Sequence, residues 1–160
     1  SFSYGELLTV LTVNTGAVKG GVSGQTSPNF DPLDGRTAWL YTQYSSGSLA
    51  GYAYDNASGN ALQNAVWFLE DEIGSVSGLA QTFVTAANAS GWSTLVGSTW
   101  VTNTIGNVLV LNLVHADGTV SQDQLYITAI PEPETYAMLL AGLGLMGFVA
   151  RRRKSHGLRG

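Results

Sequence analysis

Cysteine is absent from the 160 residues, which excludes a disulfide framework, thiolate metal centres and a cysteine nucleophile within the chain. Charge is scarce too. Asp, Glu, Lys and Arg make up 11% of the residues, against a globular norm of about 25%, so the polar character comes from hydroxyl and amide groups. The chain has two histidines, His115 and His156, and no Gly-x-Ser-x-Gly elbow, His-Glu-x-x-His pair or Walker lysine. No catalytic set can therefore be assembled from motifs. What remains is foldable: 44% of residues are apolar, with four Trp and seven Tyr, more than a disordered chain carries. The length suits one domain able to bury a core.

The net charge of −4 conceals a split. Residues 1–130 hold −7, residues 131–150 hold −2 and residues 151–160 hold +5. An acidic body repels phosphate backbones, so nucleic acid is not an expected partner. The chain opens at Ser1 without a Met or a charged-then-apolar leader, and an N-terminal truncation is expected. The sharpest change of composition falls at Ile130-Pro131-Glu132-Pro133-Glu134, where two prolines at alternate positions forbid strand pairing and helix continuation. Beyond it, residues 136–150 form an uncharged apolar run that ends in Arg151, Arg152, Arg153 and Lys154. Fifteen helical residues span about 22 Å, short of a hydrocarbon core of about 30 Å, but snorkelling arginine stems extend the reach. The run reads as a membrane or sorting helix with a cytoplasmic stop, residues 155–160 as a cytoplasmic tail, and the positive-inside rule puts residues 1–130 outside the cytoplasm.

Within residues 1–130, periodicity predicts a mixed α+β domain with strands at both ends and two or three helices between. The β-branched content of 6–13 predicts a strand, and Asp34 is placed to cap a helix over 37–44. Apolar positions Ala61, Leu62, Ala65, Val66, Leu69 and Ile73 predict a helix over 60–73 with Gly74 as C-cap and Leu62, Val66, Trp67 and Leu69 in the core. A further helix is expected over 79–89, and a hairpin from 107–115 and 120–130 around Ala116-Asp117-Gly118-Thr119.

Few residues propose chemistry. His115, beside that turn, is expected to be a bystander. The literal Gly-x-Gly-x-x-Gly at 142–147 has no preceding strand and lies in the apolar run, where small residues instead permit close helix packing. Glu70-Asp71-Glu72 lacks the alternate spacing and glycine bend of a calcium loop, which favours a solvated helix end over a metal site. Tyr41, Tyr44, Tyr52 and Tyr54 suit either an aromatic platform for sugar rings or half-buried packing, with packing the expected role. No cofactor is called for.

Pro131-Glu132-Pro133, the apolar run 136–150 and Arg151, Arg152 and Arg153 together resemble the PEP-CTERM sorting signal of Gram-negative bacteria. The resemblance covers residues 131–154 and implies that the tail is read by exosortase, an integral-membrane cysteine-dependent protease-transpeptidase. It also implies that the bearer is an exported envelope, surface or matrix protein, of a kind often associated with exopolysaccharide and biofilm. The expected function is that of such a protein without catalytic activity of its own. The stretch Leu62-Gln63-Asn64-Ala65-Val66-Trp67 is similar to the glutamine motif of thioester domains in bacterial surface adhesins. That likeness implies an alternative, a covalent adhesin with a thioester at Gln63, whose cysteine partner would have to lie upstream of Ser1. A third reading is a secreted hydrolase whose motif is not visible, which a convergent acid pair in a cleft would favour.

Overall fold

In the computed structural model, residues 7–18 and 30–128 are described, and they form three α-helices and seven short strands. The main sheet has the order β1-β6-β7 (Thr9–Asn14, Val108–Val114, Gln124–Ile127), antiparallel throughout. A bulge between Val10 and Thr12 shifts the β1 register against β6. Two small antiparallel pairs flank it: β2 (Gly16–Ala17) with β3 (Asp31–Pro32), and β4 (Ser93–Val96) with β5 (Thr99–Thr102). The buried Asn112 of β6 donates to the Gly16 carbonyl and accepts from the Val18 N–H at 2.7 Å, which fixes the β2 segment against the sheet.

Helix α1 (Gly35–Ser45) lies between two cores. Its Leu40 joins Ala65, Leu69, Phe83 and Val84 in the packing of α2 (Asn56–Leu69) and α3 (Gly78–Asn88), while its Ala38 joins Leu33, Val108 and Val110 beside the sheet. The Tyr41 hydroxyl donates to the Leu125 carbonyl at 2.9 Å and ties α1 to β7. Gly35 opens α1 so close to the Trp92 and Thr104 carbonyls that a Cβ would overlap both. Gly35→Ala is expected to cost about 1–3 kcal/mol through overpacking, measured as a shift in the denaturation midpoint.

The α+β class, β1 and β6 match expectation, and α1 has its predicted Asp34 cap, but of the strand expected over 120–130 the described part is Gln124–Ile127, with Val120 making only an isolated bridge to Val114. Three features of α2 differ. Helix α2 begins four residues early, because Asp55 and Ser58 form a reciprocal capping box that the apolar periodicity does not report. It also stops early. Glu70 is the C-cap, Asp71 adopts φ +60°, and the Asp71 and Glu72 N–H groups bond back to the Phe68 and Trp67 carbonyls, so the helix closes before Gly74 in a Schellman-type turn. Trp67 is the third: it is 36% exposed, and the buried stripe of α2 runs through Ala65 and Leu69, with Leu62 packed at its margin. Trp67→Ala should therefore cost about 1 kcal/mol in chemical denaturation, where a fully buried ring would cost about 3–5 kcal/mol. The β4–β5 hairpin was not expected. The expected membrane helix 136–150 and residues 131–133 and 151–153 lie outside the described residues, among which no helix is long and apolar enough to cross a membrane.

Candidate functional site

The C-terminal turn of α2, β3 and the start of α1 converge on one cluster of acids. Asp34 caps α1, accepting from the Arg36 N–H at 2.7 Å and from the Ser93 hydroxyl at 3.0 Å. The same carboxylate takes the Arg36 guanidinium, whose Nε lies 3.0 Å from each oxygen. Arg36 is buried, donates a further bond to Asn88 and stacks its guanidinium 4.4 Å from the Trp100 ring centre. Its charge is thus used internally.

Among the described residues Glu70 has no such cation. Its Oε1 accepts from the Asp34 N–H at 3.3 Å, and burial pushes its carboxyl up to about 7. Thr37 faces that carboxyl and opposes the rise, while Asp34 and Asp31 add to it by charge. The Thr37 hydroxyl is itself buried and makes no regular hydrogen bond. Asp31 is raised by burial and then by Glu72 and Asp71. Asp123 is raised by burial, with the Leu113 N–H opposing. The expected solvated helix end is corrected for Glu70, because the Schellman-type turn folds it inward against α1; Asp71 and Glu72 are exposed.

Three open clefts follow one another across this region. The first, about 320 Å³, is walled by Tyr41, Tyr44, Tyr52, Gln63, Trp67 and Gln122. The second, about 360 Å³, shares Val66, Trp67 and Gln122 with the first and holds Asp31, Glu70, Glu72 and Asp123. The third, about 580 Å³, shares Asp31 and Glu70 with the second and ends on Trp100. The tyrosines touch in series, Tyr41–Tyr44 at 6.1 Å, Tyr44–Tyr52 at 5.0 Å and Tyr52–Tyr54 at 4.9 Å between ring centres; Tyr41, Tyr44 and Tyr52 serve both as packing and as cleft wall, while Tyr54 is exposed.

Of the residues singled out from sequence, Gln63 stands exposed on α2 in the first cleft, with no cysteine anywhere in the chain to join it. His115 lies at the β6 turn, where its N–H donates to the Thr119 carbonyl. Sequence reasoning assigned no site role to Asp31, Gln122 or Asp123 and did not find the Arg36–Trp100 stack. Asp31 lies 39 positions from Glu70, a separation that no helical or strand period connects.

By fold and site the described residues define an acidic α+β domain with adjoining open clefts, one walled by aromatic rings and one lined by carboxyl groups. Residues 129–154 match the PEP-CTERM protein-sorting motif. The chain therefore carries a sorting signal that implies an exported protein, membrane-anchored as a precursor, with exosortase as its processing partner. No curated protein and no solved structure matches the chain.

Proposed function

We propose that the protein is an exosortase-sorted surface or matrix protein whose acidic domain works by binding and carries out no reaction of its own. The motif at residues 129–154 carries this reading. In it, Pro131, Glu132 and Pro133 form the recognised joint, residues 136–150 hold the precursor in the membrane, and Arg151, Arg152 and Arg153 fix its cytoplasmic end. The mature domain then resides in the envelope or the extracellular matrix, with exopolysaccharide as its partner. Fractionation of an exosortase-bearing host and its exosortase-deleted counterpart tests the reading. The chain should leave the membrane fraction only in the first, and identical distribution in both would refute it.

One observation favours a second reading, a secreted hydrolase: Asp31 and Glu70 line two adjoining clefts, and Glu70 holds its proton up to about pH 7, as a general acid must. Release of reducing ends from matrix polysaccharide by the protein, abolished by Glu70→Gln, would establish it.

A further inference from the structure

We propose that the three clefts form one trough for a polysaccharide bearing free amino groups, its sugar faces on Trp67 and the tyrosines and its ammonium groups among Asp31, Glu70, Glu72 and Asp123. The proposal deepens the matrix reading by naming the polymer chemistry, and its measurement is independent of tail processing.

Length comes first. Each cleft shares side chains with the next, Trp67 and Gln122 at one junction and Asp31 and Glu70 at the other, so a ligand that follows the shared walls is a chain and not a single small molecule. Charge comes second: among the described residues, the middle cleft is lined by four carboxyl groups and by no Lys, Arg or His. Among the described residues Arg36 is the nearest arginine or lysine, and it is committed to Asp34, Asn88 and Trp100. The four carboxyl groups repel one another, as the mutual charge effects at Asp31 and Glu70 show, and a cationic ligand relieves that repulsion. Among the described residues no group of three or more acids or histidines is arranged to hold a metal ion, so an organic cation suits the cleft better than a metal.

The walls decide between sugars and peptides. A pyranose ring has an apolar face and a rim of hydroxyls, which match an aromatic ring beside a side-chain amide that both donates and accepts. Trp67 with Gln122, and the tyrosines with Gln63, supply that pairing. An ammonium over Trp67 or a tyrosine gains cation–π attraction as well. A basic peptide satisfies the charge but not the amide–ring pairing.

Calorimetric titration of the full chain at about pH 6, where a sugar amine carries charge, tests the proposal with three probes: a hexamer of β-1,4-linked glucosamine, its fully N-acetylated form and hexalysine. The glucosamine hexamer should bind about tenfold or more tighter than either of the others. Glu72→Gln with Asp123→Asn, exposed or partly exposed changes that keep shape and hydrogen-bonding capacity, should weaken it about tenfold with an unchanged denaturation midpoint. Trp67→Ala should weaken both glucosamine and N-acetylated hexamers. Equal binding of the acetylated form, tighter binding of hexalysine, or a Glu72→Gln/Asp123→Asn double variant within about twofold of the parent would each overturn the proposal.

Discussion

Arg36→Ala should destabilise the acidic domain by about 3–5 kcal/mol, the range for a buried ion pair that loses one partner. The side chains of Arg36 and Asp34 are 9% and 15% exposed, so the orphaned carboxylate would find little water. Asp34 would keep its capping bond from the residue-36 N–H and the bond from Ser93, but it would lose the guanidinium on both oxygens. Trp100 would lose its stacked cation and Asn88 its donor. Urea unfolding measures the cost. The control is the double change Asp34→Asn with Arg36→Met, which removes both charges and should cost less than Arg36→Ala alone. Equal or greater loss in the double variant would show that the pair matters through packing and capping rather than charge.

Stability should also fall as pH rises from about 4.5 to about 7, because of Glu70. Its carboxyl sits at about 7 in the folded chain against an ordinary 4.5. The folded state therefore holds a proton that the unfolded chain has given up between these values. The contribution is fully present below about pH 4.5, is lost progressively as pH approaches 7 and is constant above it. The difference amounts to about 3 kcal/mol at 1.36 kcal/mol per pH unit. Asp31 and Asp123, both raised, act in the same direction, whereas Asp55 and Asp117, both lowered by hydrogen bonds from Ser58 and Thr119, act in the opposite one. Comparison with Glu70→Gln isolates the Glu70 part, since the other groups titrate in both proteins. The parent should gain about 3 kcal/mol relative to the variant between about pH 8 and about pH 4.5; parallel curves would place the carboxyl in water.

What sequence could reveal here follows from the range of each interaction. Asp34 as a cap, the helix over 78–88 and the Ala116-Asp117-Gly118-Thr119 turn are local, and they stand where propensity puts them; Gly118 has φ +81° and Asp117 accepts from Thr119. The two ends of α2 were misplaced for opposite reasons. Its start depends on a capping box outside the apolar stripe, and its end on Asp71 taking a left-handed conformation that Gly74 would have accepted at lower cost. Trp67 was assigned inward because it follows Val66 in an apolar run, yet a helical turn rotates it away from Ala65 and Leu69 toward the clefts. The acid trough was invisible because its members come from β3, the α2 turn and the segment before β7, which meet only after the sheet and helices pack. The sorting signal is the reverse case. Its information lies in composition and order along 26 consecutive residues, so Pro131, Glu132, Pro133 and the arginines identified it without any fold.

The intact mass of the chain recovered from an exosortase-bearing host tests the central claim, that the C-terminal signal is removed on the way to the surface. The mature protein should lack residues 136–160, and replacement of Arg151, Arg152, Arg153 and Lys154 should leave unprocessed chain behind. Recovery of surface or matrix protein that still carries those residues would contradict the account.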